Sequence, residues 1–111
     1  MIILVIVITT AWLPHSKASE VGKVLMEVIK KVPVDPSLSE NLLDNVWAAT
    51  KEGYKVVNAS EVKEEKLKEY IAAVNKQLIM IAKAIEGYKY QIEIMSPFAD
   101  AMAILGVELP E

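Results

Sequence analysis

The chain has one histidine, His15, the side chain best suited to carry a proton near neutral pH. It sits in the stretch AWLPHSK, close to Trp12 and directly after Pro14. A second candidate is Glu93, which shares one side of the segment YKYQIEIM with Lys89 and Gln91. If that side lines a cavity, burial makes a carboxylic acid a usable proton carrier. Trp12, Trp47, Tyr54 and Gln91 are the candidates for ligand contacts, and Tyr88 and Tyr90 add to an aromatic frame. Each has a plainer reading: His15 as a loop residue, Glu93 and Gln91 as the solvated side of an edge strand, the aromatics as core. Met80, Met95 and Met102 read as gap-fillers.

Other chemistries are excluded by residue type. There is no cysteine, hence no thiolate nucleophile, disulfide or Cys-based metal site. A single histidine cannot build a multi-histidine zinc site, and KEEKLKE lacks the Asp/Asn/Gly spacing of a calcium loop. No metal and no cofactor is expected. The chain carries 15 acidic residues, 12 lysines and no arginine, a net charge of −3. That disfavours nucleic acid as a partner.

The elements that must position these groups follow from patterning. The opening MIILVIVI is too short to cross a membrane and lacks the basic flank of a secretory signal. No membrane partner is expected, and the cytoplasm is the expected compartment. Its β-branched residues favour a strand over residues 2–10, apolar on both faces. Val21, Val24, Leu25, Val28, Ile29 and Val32 then recur with helical spacing, and Pro33 ends that stripe. NVWAATKEGYKVV reads as a hairpin, with strands at 46–50 and 54–57 around Gly53. Asn58-Ala59-Ser60 matches a glycosylation acceptor, expected to be a coincidence because no export is expected. Leu67, Tyr70, Ile71, Val74, Leu78 and Ile81 mark a second helix, closed near Gly87. YKYQIEIM alternates as a strand, and Ser96-Pro97 begins a short helix over about 97–105, with a tail at 107–111.

The order β-α-β-β-α-β plus a C-terminal helix is the ferredoxin-like plan, an α+β fold with an antiparallel sheet, expected as a single domain over 1–111. Both helices cover one face of that sheet, so the second apolar face of the first strand needs another cover. The economical one is a second copy of the chain, a homodimer through the sheet face.

The whole pattern, with the pieces ATKEG, EVKEEKL, IEGYKYQIE and AILGVELPE, resembles the dimeric α+β barrel superfamily. It is similar in particular to small uncharacterised prokaryotic members. The resemblance implies two ferredoxin-like subunits forming a barrel. It also brings in cofactor-independent monooxygenases, isomerases, haem degraders and ligand-sensing modules. The Asn, Trp and His pattern of the haem degraders does not map onto this chain.

Two functions fit these residues. One is a homodimeric structural or small-ligand-binding module, taking a small apolar ligand. The other is a small cofactor-independent monooxygenase or isomerase for an apolar or aromatic molecule, with His15 or Glu93 carrying the proton.

Overall fold

In the computed structural model, residues 3–110 are described. The expected strand start at Ile2 and the last tail residue, Glu111, fall outside them. The chain runs β1 (Leu4–Leu13), α1 (Ala18–Lys31), β2 (Ser39–Ala49), β3 (Tyr54–Lys63), α2 (Leu67–Ala84), β4 (Lys89–Met95) and α3 (Phe98–Leu105), with short 3-10 turns leading into α1, β2 and α2. The strands form one antiparallel sheet in the order β2-β3-β1-β4, so β1 and β3 are central.

The first strand resolves its own ambiguity. Val5, Val7, Thr9, Ala11 and Leu13 are buried, and they belong to the face on which α1 and α2 lie. Val21 and Val28 from α1 and Ile81 and Ile85 from the α2 end pack with Ala11, Leu13 and Val56 at one end of the sheet. Tyr70 and Val74 of α2 pack with Val5, Val7 and Val62 at the other. Leu4, Ile6, Ile8, Thr10 and Trp12 alternate to the face away from α1 and α2, where Leu4, Ile6 and Ile8 are half-buried, Thr10 is buried and Trp12 is 39% exposed.

β1 runs past the expected end at residue 10, because pairing with β3 continues to Leu13↔Tyr54. Trp12 is therefore a strand residue. The hairpin is also longer than its apolar pattern indicates: β2 begins at Ser39 and β3 ends at Lys63. Its turn is tied by Thr50, whose backbone N–H and hydroxyl both donate to the Gly53 carbonyl at 2.7 Å. A Cβ on Gly53 would collide with the Leu13 carbonyl oxygen. At the far end of α2, Gly87 has φ +86° and packs against the Pro14 ring, which holds the start of β4 beside the end of β1.

The expected barrel does not form. β2 and β4 are the outer strands of an open sheet, with no further strand paired beyond either among the described residues. Four strands fall well short of the eight or so that close around a packed interior. β2 is also irregular, with register shifts between Asn41 and Leu43 and between Leu43 and Val46, and Asn45 at φ +49°. The fold is ferredoxin-like without barrel closure.

α3 stands apart. Pro97 precedes it in extended conformation, and Gly106 at φ +75° ends it with its N–H bonded to the Ala103 carbonyl. Phe98 is 61% exposed, Ile104 78% and Leu105 69%. The chain's radius of gyration is 16.0 Å, against about 13 Å for a compact domain of this size.

Candidate functional site

A cavity of about 350 Å3 lies between the sheet and the two long helices, within the range of small-molecule sites, about 300–1,000 Å3. Its helix side is largely aliphatic: Val21, Leu25 and Ile29 from α1, and Val74, Leu78 and Ile81 from α2, joined by Tyr70 and by Gln77, whose Nε2 donates to the Val32 carbonyl at 2.6 Å. Its sheet side is mixed. Ala11, Val56 and Trp47 lie at one end, while Thr9, Asn41, Asn45, Asn58 and Ser60 form a polar strip.

The strip follows from strand register. On β3, Tyr54, Val56, Asn58, Ser60 and Val62 share the helix-facing side, because each pairs with an odd-numbered residue of β1. Two polar residues therefore interrupt an apolar row where the cavity opens. Buried polar groups must be paired, and the irregularity of β2 supplies the partners. The Asn45 backbone N–H donates to Asn58 Oδ1 at 2.7 Å, and Ser60 Oγ donates to Asn41 Oδ1 at 3.0 Å. Asn58 Nδ2 approaches Asn45 Oδ1 at 3.5 Å. Asn45 takes up the left-handed conformation that Asn tolerates better than most residues. The bulge thus turns amides towards the cavity, and each amide retains donor or acceptor capacity beyond these bonds.

The ionisable groups in the lining are Asp35, Asp44, Tyr70 and Tyr88. Burial, with a smaller contribution from neighbouring Tyr90, pushes the Tyr88 phenol up to about 12. It is therefore a neutral hydrogen-bonding group at physiological pH. Asp35 and Asp44 are exposed and sit at the rim. The Asp35 carboxyl is held below the usual carboxylate range by hydrogen bonds from Ser37, the backbone N–H first. Among the described residues, no lysine and no histidine lines the cavity. Among the described residues, no group of three or more His, Asp or Glu could hold a metal ion.

Of the residues singled out in the sequence, Trp47 and, from the aromatic frame, Tyr88 line this cavity. Tyr54 packs edge-on to Trp47, ring centroids 5.6 Å apart, and His15 packs edge-on to Tyr54 at 5.5 Å. His15 Nε2 donates to the Thr50 carbonyl at 2.7 Å, bracing the hairpin turn. Trp12 and Tyr54 line a separate hollow at the turn end of the sheet. Gln91 and Glu93 lie on the open face, opposite Thr10 and Ile8, with Gln91 Nε2 donating to Glu93 Oε1 at 2.7 Å. The structure does not bring the two proton-carrier candidates together. Asn41, Asn45, Asn58 and Ser60 are cavity residues that patterning did not single out as ligand contacts. The signal was present in VVNASEV, where Asn58 and Ser60 fall in phase with buried Val56 and Val62.

Architecture and cavity together define a small α+β protein of ferredoxin-like topology, without an evident catalytic constellation among the described residues. No family model matches the sequence, and no curated protein sequence matches it. Several solved structures share the fold. A dimeric ferredoxin-like protein from an uncultured marine organism superposes with a TM-score of 0.60 at 17% identity, covering 86% of this chain and 96% of its own. A conserved protein from Methanosarcina mazei Go1 gives 0.55 at 11% identity, covering 85% and 92%. A candidate antibiotic biosynthesis monooxygenase from Caulobacter crescentus CB15 gives 0.53 at 20% identity, covering 86% and 91%. At such identities the likeness establishes the fold alone, so the superfamily resemblance is corrected to a ferredoxin-like fold with an open sheet. No helix among the described residues is long and apolar enough to cross a membrane.

Proposed function

We propose that the chain is a homodimeric binding module for a small, predominantly apolar and uncharged molecule, held between the helices and the sheet. The cavity of about 350 Å3, largely aliphatic on the helix side and lined with amides and hydroxyls on the other, carries this reading. The aliphatic side supplies burial, roughly 25 cal/mol per Å2 of apolar surface, and the amide strip orients one polar edge of the ligand. With Asp35 and Asp44 at the rim and no cation in the lining, an anionic ligand would meet repulsion and find no counter-charge.

The homodimer rests on the open face. Ile6, Ile8, Val57, Val46 and Leu43 form an apolar band across β1, β3 and β2, and the two-fold partner of such a face is the same face on a second copy. The marine protein of similar fold is itself described as dimeric. Light scattering at micromolar concentration tests this half of the proposal: a dimer is expected, and a stable monomer would reject it.

Binding is tested with the neutral naphthalene dye prodan. Its emission should rise and shift to the blue with saturation at one dye per chain, and Leu25→Trp, which fills the cavity from α1, should abolish the change. An equal response from the filled variant would place the dye elsewhere and reject the cavity as the site. The anionic dye anilinonaphthalene sulfonate should bind at least tenfold more weakly than prodan.

A further inference from the structure

We infer that α3 and the residues after it form an arm that packs on the β2–β3 side of the open sheet face of a second copy of this chain. The inference rests on the homodimer reading above and goes beyond it in naming the element that crosses between subunits.

Three observations place the arm there. First, it has surface to bury and little on its own chain to bury it against. Phe98, Ile104, Leu105, Val107 and Leu109 are all exposed, at 61, 78, 69, 50 and 44%. α3 also extends a molecule whose principal dimensions are 50 × 32 × 18 Å. A helix this short is marginal in water without packing.

Second, its own sheet offers a poor seat. α3 follows β4 after only Ser96 and Pro97. A helix folding back from that point would meet Met95 on the open side of β4 and then cross Glu93, Gln91 and Lys89, a row with one apolar residue at its start.

Third, the far side of the same face has the opposite character. Leu43 and Val46 on β2 are 46 and 48% exposed, and they continue the band through Ala59 and Val57 on β3. This margin is apolar, distant from β4 across the sheet, and bare. Charge favours the pairing as well. The arm carries Asp100, Glu108 and Glu111 with no lysine, and Lys55 lies beside the band, opposite Ala48. Glu40 and Glu61 face each other at its other end, so the acidic residues of the arm should lie towards Lys55. An interface of usual size buries about 800 Å2 per partner. A two-fold exchange adds both arms to the surface that the sheet faces bury, each serving the other's margin.

The absence of cysteine makes the test direct. Leu105→Cys and Val46→Cys are made in separate chains, mixed, allowed to exchange subunits and treated with a short bismaleimide. A covalent dimer containing one chain of each variant is expected. Leu105→Cys mixed with Lys23→Cys, on the helix side, should give at least tenfold less. Removal of residues 96–111 should leave the circular dichroism of the sheet and long helices unchanged and raise the dimer dissociation constant at least tenfold. A dimer by light scattering that yields no mixed product above the Lys23 control would overturn the arm while leaving the sheet-face dimer standing. A truncated chain that dimerises as tightly as the full one would also overturn it. A monomeric full-length chain would remove both readings.

Discussion

The two faces of the central strand are built from neighbouring residues of almost equal hydropathy, and they have opposite fates. Val5 and Val7 are 8% and 1% exposed beneath the helices, whereas Leu4, Ile6 and Ile8 stand half-buried on the face away from α1 and α2. Composition does not distinguish them. The difference is made by which side receives α1 and α2, and it teaches that an aliphatic strand records how many of its faces are covered, without naming the cover. The same contrast separates the two halves of the functional reading: the helix-facing side encloses a cavity, and the open side is the one assigned to a partner in the proposed dimer.

The sharpest way to break this comparison is to place one charge on each face. Val7→Lys buries an unpaired ammonium among Val5, Val62 and Val74. It should cost about 4 kcal/mol or more and abolish cooperative thermal unfolding. Ile6→Lys, one residue away, should keep native circular dichroism and lose the dimer in light scattering. If the two variants behave alike, the faces are not distinct in the way described.

The cavity side can be probed next. Asn58→Leu leaves the Asn45 backbone N–H without its acceptor, and losses of about 1–3 kcal/mol are expected for a stranded donor. Chemical denaturation measures the change, and an unchanged midpoint would mean that water replaces the amide.

Tyr88 gives a smaller, spectroscopic effect. Its phenol ionises at about 12, above the ordinary value of 10.0. The folded state therefore favours the protonated form, and stability is unaffected below pH 10 and declines as pH rises from 10 towards 12. Absorbance near 295 nm should show one tyrosine ionising late, and Tyr88→Phe should remove that late step. The smallest effect is expected at His15. Its bond to the Thr50 carbonyl is exposed, so His15→Ala should change stability by less than about 1 kcal/mol and leave prodan binding intact. A variant that keeps its melting temperature but fails to bind the dye would give the histidine a functional role.

Much of the fold was legible because its determinants are local. The helical recurrence from Val21 to Val28 and the alternation from Tyr88 to Ile94 each require only a short window of sequence. Pro33 and Gly87 mark ends for reasons of backbone geometry. The long hairpin arms were not legible, because β2 is an edge strand with a broken register and an exposed surface, so no period survives in SENLLDN. The cavity was legible only in part. Trp47 stood out by type, but Asn58 and Ser60 gain their meaning from the pairing register with β1, a long-range property. The barrel expectation transferred a property of assemblies to a chain whose own strands form only an open sheet.

The irregular stretch of β2 has a further consequence, for growth of the sheet rather than for binding. An outer strand with a straight backbone invites another strand to add, and another after it, which is the route to fibres. Here the register shifts around Leu43 and the left-handed Asn45 break the row of amide and carbonyl groups, so an incoming strand would find no continuous ladder. At the opposite margin, β4 spans only Lys89–Met95 and opens on a charged side chain. The residues that turn amides into the cavity therefore also keep an aliphatic-rich sheet from propagating along its edges.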